Sequence, residues 1–470
     1  VVNAMPESTA CLQAAPLLPA LQHPLVQRLL EGHPGLLRDL LNGLGSPLHL
    51  MLPQVFAQNA VAFSNCLRRT GVDGLVMYAK KANKARCLVN ACAQLGLGVD
   101  AASAEELTQA LGAGVPGRVI GISGPAKHPA LMRLAIRQHC LLAVDSLEEL
   151  QAYAEVATSE QRGARVLLRW RPDSQPRSRF GMTTPELDHA LGICQTRQAH
   201  LALEGFSFHL NGYSAGERAE ATHQLLARCL DARSLGLRAD CIDIGGGFAV
   251  RYVDTAAWRD FEAQQRAEHY HAGKTFDSFY PYASQSHGAD MLAAVLACKS
   301  DTGNTLSKCL RRESIRLLIE PGRSLLDQAG ITLFRVQGVK DRPEGYGVLT
   351  VEGTSFSMSE QWFNSEYLPD PVLLGGSDFP SDAAPYIACV AGTSCLDSDM
   401  VSWRKLRLPR RPSPGDVLVY LNTAGYQMDS NESPFHDLPL PHKVAIEFDG
   451  EQHPRWRLDS VAPLQDLHLI

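Results

Sequence analysis

No apolar run in this 470-residue sequence approaches the roughly 20 residues that a bilayer span needs, so no membrane helix is expected. Like charges are not blocked together either. Acidic and basic residues intersperse to a net charge of −6, and without a basic face no nucleic-acid partner is expected. The local exception, WRKLRLPRRP (403–412), carries four arginines and one lysine and reads as a solvated loop. The twelve cysteines include no CxxC pair and no regular framework, which points to reduced thiols in a cytoplasmic setting. The opening VVNAMPESTACLQAAPLLPALQHP lacks a cationic lead-in and does not read as a secretory signal. His269 and His271 have no third ligand beside them in sequence, so no metal is expected.

What is present is the composition of a soluble globular protein, 45% hydrophobic and 20% charged, with a length that suits two domains. Eight short apolar runs recur between residues 74 and 320: GLVMYA, LGVDAA, RVIGIS, LLAVDS, RVLLRW, EGFSFHL, CIDIGG and IRLLIE. Between them lie helical patterns such as 84–96, 103–114, 147–158 and 218–236, with apolar residues at three- and four-residue spacing. Ser103 followed by Glu106 has the spacing of a capping box. Strands alternating with helices in this number suit a closed α/β TIM-type (β/α)8 barrel, although an open doubly wound sheet gives a similar string. After residue 324 the pattern turns to β-branched runs and turn clusters such as GGSDFPSDAAP, a C-terminal mostly-β domain. The expected division is a lead over 1–45 that packs on the β domain, a barrel over 46–323 and the β domain over 324–470. SPLHLMLP (46–53) is itself strand-like, which would let the chain begin near the β domain. The aromatic-rich 269–288 stretch reads as a lid or a dimer contact.

Two features carry chemistry. The loops after the seventh and eighth strands read DIGGGF (243–248) and EPGRS (320–324). Consecutive glycines bring backbone N–H groups close to an anion, and an arginine such as Arg323 grips phosphate bidentately. At the end of the first strand, VMYAKKANKA (77–86) places two adjacent lysines. Their ordinary reading is a solvated strand end, but a lysine in a partly dry barrel mouth has a lowered pKa and a nucleophilic amine. Pyridoxal 5′-phosphate is the cofactor that uses both a phosphate cradle and such an amine.

YAKKAN (78–83) resembles the Tyr-Ala-x-Lys-Ala-Asn motif of the fold type III, alanine-racemase-like pyridoxal phosphate enzymes, and specifically their diaminopimelate/ornithine/arginine decarboxylase group. The resemblance runs from about residue 46 to 446. It implies that Lys81 forms the Schiff base and that Lys80 faces away. VDAASAEEL (99–107) is similar to the family segment that places Asp100 and Glu106 near the cofactor, and LLRWRP and SRFGM supply Arg169 and an echo of Ser-Lys-Phe-Gly. VDSLEEL (144–150) matches a segment that looks structural. The resemblance further gives His209 the stacking position on the pyridine ring, Glu320 the ring nitrogen, and the phosphate to Arg323 with Gly245, Gly246 and Gly247. AGTSCLDSD and NTAGYQ resemble family segments that make Cys395 the acid reprotonating the carbanion across a dimer interface and set Tyr426 near the phosphate. FHDLPLP (435–441) resembles the closing Phe-Asn-Gly-x-Pro-x-Pro.

The departures bear on substrate. Where the family has Glu or Asp after the cysteine to receive a distal ammonium, this chain has Leu396, with Asp397 one position later. The family's His-x-Gly-Ser is His209-Leu210-Asn211-Gly212, which removes a phosphate-binding hydroxyl, and Ser207 replaces an earlier histidine. VEGTSFSMSEQWF (351–363) also departs from the common decarboxylases. The implied protein is a homodimeric pyridoxal phosphate-dependent decarboxylase of a specialised or modified amino acid. A racemase or epimerase using Lys81 and Cys395 as opposed bases, or a non-catalytic cofactor-binding regulatory homologue, fits the same residues.

Overall fold

The computed structural model describes residues 14–358, 360, 364–374, 384–450 and 453–460. They divide into two compact units, one formed by residues 57–249 and 286–325 and the other by the chain up to Phe56, Val250–Gln285 and everything from Leu326 onward.

The first unit is a closed barrel of parallel strands: β2 (Gly74–Ala79), β3 (Gly98–Ala101), β4 (Ile120–Ile122), β5 (Leu141–Val144), β6 (Ala164–Arg169), β7 (Leu201–Ser207), β8 (Cys241–Asp243) and β9 (Arg316–Ile319). Each falls on one of the eight apolar runs, because a parallel strand covered on both faces is nearly continuously hydrophobic. Helices such as Arg86–Leu95, Ala104–Gly112, Leu147–Glu160 and Ala215–Ser234 connect them. At Ala104–Gly112 the Ser103 hydroxyl accepts the Glu106 N–H at 3.1 Å, and the Glu106 carboxylate accepts the Ala102 N–H at 2.8 Å. These bonds satisfy N–H groups that the helix start leaves orphaned.

Strand alternation divides the barrel interior into layers. Met77, Leu141, Leu167, Cys241 and Leu318 pack into one apolar cluster. Two residues further along β6 and β8, and thus on the same face, stand Arg169 and Asp243; the same step beyond Leu318 reaches Glu320, just past β9. One pleat therefore separates a greasy plug from a charged rim.

The second unit holds a nine-stranded sheet. Its strands are β1 (Leu48–Met51), β10 (Gly330–Asp341), β11 (Gly347–Val351), β12 (Val372–Leu373), β13 (Tyr386–Ala391), β14 (Met400–Leu408), β15 (Val417–Leu421), β16 (His442–Asp449) and β17 (His453–Leu458). β1 lies antiparallel to β10 and parallel to β16, so SPLHLMLP belongs to the β sheet and not to a barrel beginning at residue 46. The 250–285 excursion also belongs here. Tyr252 meets Tyr280, Tyr282 and Tyr367 edge to face at 5.3 to 5.7 Å, and Tyr270 bridges to Arg404. The 269–288 aromatics are thus largely committed to a packed cluster, which accounts for their number without a lid.

WRKLRLPRRP departs from the solvated loop expected of it. Most of it is β14, and Arg404 is fully buried, 4.0 Å from a Glu366 carboxylate oxygen and 2.5 Å from Asp370. Arg410 pairs with Asp416 and Arg411 with Asp341. Carboxylates outside the run, most of them more than 30 residues away, neutralise a segment that looks solvated when read alone. The turn cluster 375–383, the first thirteen residues and part of 351–363 lie outside the described residues. Among the described residues no helix is long and apolar enough to cross a membrane.

Gly205 in β7 has φ +152°, and a Cβ there would collide with the Cys241 carbonyl oxygen of β8. We expect Gly205→Ala to destabilise the barrel by about 3 kcal/mol, read as a lowered urea midpoint; an unchanged midpoint would contradict this packing.

Candidate active site

The lysine pair stands on a 3₁₀ turn, Lys80–Ala82, which begins where β2 stops. Its neighbours fix it. The Tyr78 hydroxyl donates to the Asn83 carbonyl at 2.8 Å, and the Asn83 side-chain oxygen accepts the Ala85 N–H at 2.9 Å. Because the strand has ended, two-residue alternation no longer governs the lysines. Lys80 is buried, while the Lys81 side chain is 44% exposed with Nζ 3.8 Å from Asp100 Oδ2.

Asp100, the penultimate residue of β3, is almost fully buried, and its other oxygen, Oδ1, has no partner among the described residues. Burial raises the carboxyl pKa of Asp243 to about 6, partly offset by the Gly245 N–H at 2.9 Å. Glu320 is pushed well above its usual range by burial and by the nearby Asp100 and Asp243, with Lys81 opposing, and it shares a side-chain hydrogen bond with Asp243. Three carboxyl groups around one mouth cannot all be ionised without a cation among them.

Arg169, ending β6, donates to Asp145 Oδ1 at 3.1 Å and lies 4.5 Å from the centre of the Phe180 ring. The Gly181 N–H reaches the same Asp145 oxygen at 3.1 Å, so SRFGM and VDSLEEL are tied together at the rim. His209 follows β7. Burial first, then the positive charges of Lys81, Arg169 and Arg218, lower its pKa to about 3, so its imidazole is neutral at any ordinary pH. The glycine triplet packs close behind it. A Cβ on Gly245 would fall 2.6 Å from His209 Nδ1, and one on Gly246 would fall 2.8 Å from the Glu320 carbonyl oxygen. Arg323 is buried in the turn after β9. Glu106 is present on the same unit, but its carboxylate is engaged in the helix cap.

Cys395, Leu396, Asp397 and Tyr426 stand in the β unit. Cys395 is the one exposed thiol among the described free cysteines, and its Sγ lies 3.2 Å from His436 Nε2. Asp399 shapes the loop by accepting the Ser355 N–H at 2.7 Å and the Ser394 N–H at 3.1 Å. Leu396 is 40% exposed, and Tyr426 adopts φ +73°.

Sequence reasoning passed over Asp243, His436 and Arg218. Asp243 was visible as an acid two residues before the first glycine, and Arg218 as a charged residue on a mostly apolar helix stripe. His436 gave no comparable signal. The residues of the barrel mouth fit pyridoxal 5′-phosphate: an orphaned buried carboxylate oxygen, two hydrogen-bonded carboxyls with raised pKa suited to a ring nitrogen, a neutral imidazole and an exposed lysine stand there.

Comparison with known proteins agrees. Residues 56–279 match the family model described as pyridoxal-dependent decarboxylase, pyridoxal binding domain. The chain is 37% identical over 444 residues to the uncharacterized protein y4yA of Sinorhizobium fredii, covering 94% of this chain and 97% of that one. It is 24% identical over 430 residues to the diaminopimelate decarboxylase of Bacillus methanolicus, covering 87% and 90%. Among solved structures it is similar to diaminopimelate decarboxylase from M. jannaschii in complex with L-lysine, with TM-score 0.71, 20% identity and coverage of 90% and 91%. It is also similar to lysine/ornithine decarboxylase from Vibrio vulnificus complexed with putrescine, with TM-score 0.67, 19% identity and coverage of 88% and 98%. With the barrel, the glycine loop and the lysine turn in place, the chain belongs to the fold type III pyridoxal-dependent decarboxylase family, as a divergent member.

Proposed function

We propose that this enzyme decarboxylates an amino acid whose side chain ends without a free distal ammonium, a specialised or modified substrate within the diaminopimelate/ornithine decarboxylase group. The observation that carries this reading is Leu396, 40% exposed at the position after Cys395 where the family has an acid. An apolar side chain cannot compensate an ammonium withdrawn from water.

Bound pyridoxal 5′-phosphate supplies a carbonyl that condenses with amines and a ring that withdraws electrons from the bond being broken. In our reading Lys81 is the amine that holds it. The 3.8 Å separation from Asp100 keeps that amine oriented while leaving it accessible from the mouth. Glu320, sharing a hydrogen bond with Asp243, would hold the ring nitrogen and serve as the counter-charge of its proton. His209 offers a flat neutral face, so it adds no positive charge competing with that ring proton. The phosphate would be held by the backbone N–H groups of Gly245, Gly246 and Gly247 with Arg323, and the family resemblance assigns Tyr426 to the same group. Arg169 holds the rim through Asp145. Glu106 acts through its cap, fixing the segment after Asp100.

Cys395 delivers the proton to the carbon that has lost its carboxylate. His436, 3.2 Å from the thiol, is placed to resupply it. Asp397 contacts substrate beyond Leu396. The proposal includes a cytoplasmic homodimer in which Cys395 serves the partner's site, supported by the family resemblance.

The test is CO2 release by the purified holoenzyme over L- and D-amino acids with dibasic, acylated, carboxylate and apolar side chains. Turnover of acylated or apolar side chains above dibasic ones supports the proposal, and preference for diaminopimelate or ornithine overturns it. Loss of optical rotation without gas would show a racemase instead. A charge-assisted hydrogen bond is worth ~1.5–3 kcal/mol, so Leu396→Asp should raise relative kcat/KM for a dibasic substrate by roughly 10- to 100-fold.

The carboxyl cluster generates a pH prediction. Glu320 and Asp243 have raised folded-state values, Asp243 to about 6, while free carboxyls titrate near pH ~4. Their contribution to stability is therefore full below pH ~4 and is lost as pH rises through the folded values. Thermal midpoints of the cofactor-free protein should show Glu320→Gln gaining on wild type as pH increases from about 4 to 7. A pH-independent difference would contradict the cluster.

A further inference from the structure

Arg218 is the fourth residue of the helix Ala215–Ser234 and lies on its buried side together with Ala219, Ala221, Thr222 and Leu225. Its side chain is entirely shielded from solvent. One guanidinium nitrogen, Nη2, donates to the Gly246 carbonyl oxygen at 2.9 Å. The other two, Nε and Nη1, are buried with no hydrogen-bond partner among the described residues, and no carboxylate pairs with it there. Burial lowers its pKa only to about 10, so the group is a cation at neutral pH. The Phe248 ring, 5.8 Å from Cζ, and the nearby Tyr213 and Glu217 support the charge in part, but two buried donors aimed at nothing are unusual in a native fold.

The glycine loop is built around this side chain. A Cβ on Gly247 would run into Nη2 and stand 3.4 Å from Cζ and 3.2 Å from the Gly212 carbonyl oxygen. Gly247 also has φ +77°. The guanidinium therefore lies flush against the backbone of the glycine triplet, beside the loop after β7. That loop carries Asn211-Gly212 and offers no hydroxyl where the family has serine.

We infer that Arg218 is a second cationic ligand for the phosphate of pyridoxal 5′-phosphate, supplying from behind the glycine loop the donors that the missing serine would have given. This rests on the reading that Gly245, Gly246 and Gly247 cradle that phosphate. A planar fork with two idle donors suits a phosphate oxygen, and the entering anion neutralises the buried charge.

The experiment compares dissociation constants of pyridoxal 5′-phosphate and of pyridoxal, which lacks the phosphate, for cofactor-stripped protein by equilibrium dialysis. Wild type should bind the phosphorylated form more tightly. In Arg218→Met that preference should fall by roughly 10- to 100-fold, with pyridoxal binding unchanged and with Arg218→Lys intermediate. Thermal unfolding gives a readout independent of the carbonyl. Inorganic phosphate should raise the wild-type midpoint and leave that of Arg218→Met unmoved, while without phosphate the Met variant should be at least as stable as wild type. An undiminished preference in Arg218→Met, or equal weakening of both ligands, overturns the role of Arg218. If the Met variant does not fold, the same comparison on Arg218→Lys decides, and an undiminished preference there overturns the inference. A wild type that does not discriminate pyridoxal 5′-phosphate from pyridoxal overturns the cradle itself, and the inference with it.

Discussion

The constraint on which this site turns is electrostatic: Asp100, Asp243 and Glu320 converge at one rim of a parallel barrel, where water is too scarce to solvate three negative charges. Parallel strands deliver their ends to a common edge, and strand alternation turns the residue two places beyond each core side chain inward as well. The apolar cluster of Met77, Leu167, Cys241 and Leu318 is followed by Arg169, Asp243 and Glu320 on this account. The plug sets the low dielectric, and the low dielectric raises Asp243 and Glu320. Cations are then the natural occupants, as the Lys81 amine beside Asp100 and Arg169 beside Asp145 already are.

Charge also organises the β unit. Arg404 sits dry between Glu366 and Asp370, with burial raising the Glu366 carboxyl pKa to about 7 even against the arginine. An isolated buried ion pair is a poor source of stability but a strong constraint on geometry, because removing one partner strands the other. Here it joins β14 to the segment around residues 366–370 of the same unit.

The barrel was legible because its strands are buried on both faces and announce themselves as continuous apolar runs; all eight positions follow from that property. Lys81, Asp100, His209 and Glu320 were singled out by the order of the family motifs, since a lone histidine or acid in an apolar run is by itself an ordinary core or strand-end residue. Tertiary features were not legible. Leu48–Met51 has a strand pattern, but which sheet receives it depends on pairing with residues about 280 and 390 positions away. The Arg404 run looks solvated until its carboxylates arrive from elsewhere in the chain. The alternation that set Lys80 facing away from Lys81 does not govern the pair, because the strand ends at Ala79 and a 3₁₀ turn takes over. Arg218 needed the fold to show that its neighbours are glycine backbone.

The account as a whole stands on which lysine bears the cofactor. Borohydride reduction of the holoenzyme, followed by peptide mapping, fixes the phosphopyridoxyl group on the side chain that held it. We predict the label on Lys81 alone. A label on the buried Lys80, or on a lysine outside the turn, would contradict the assignment of the 3₁₀ turn as the anchor and the chemistry built on it.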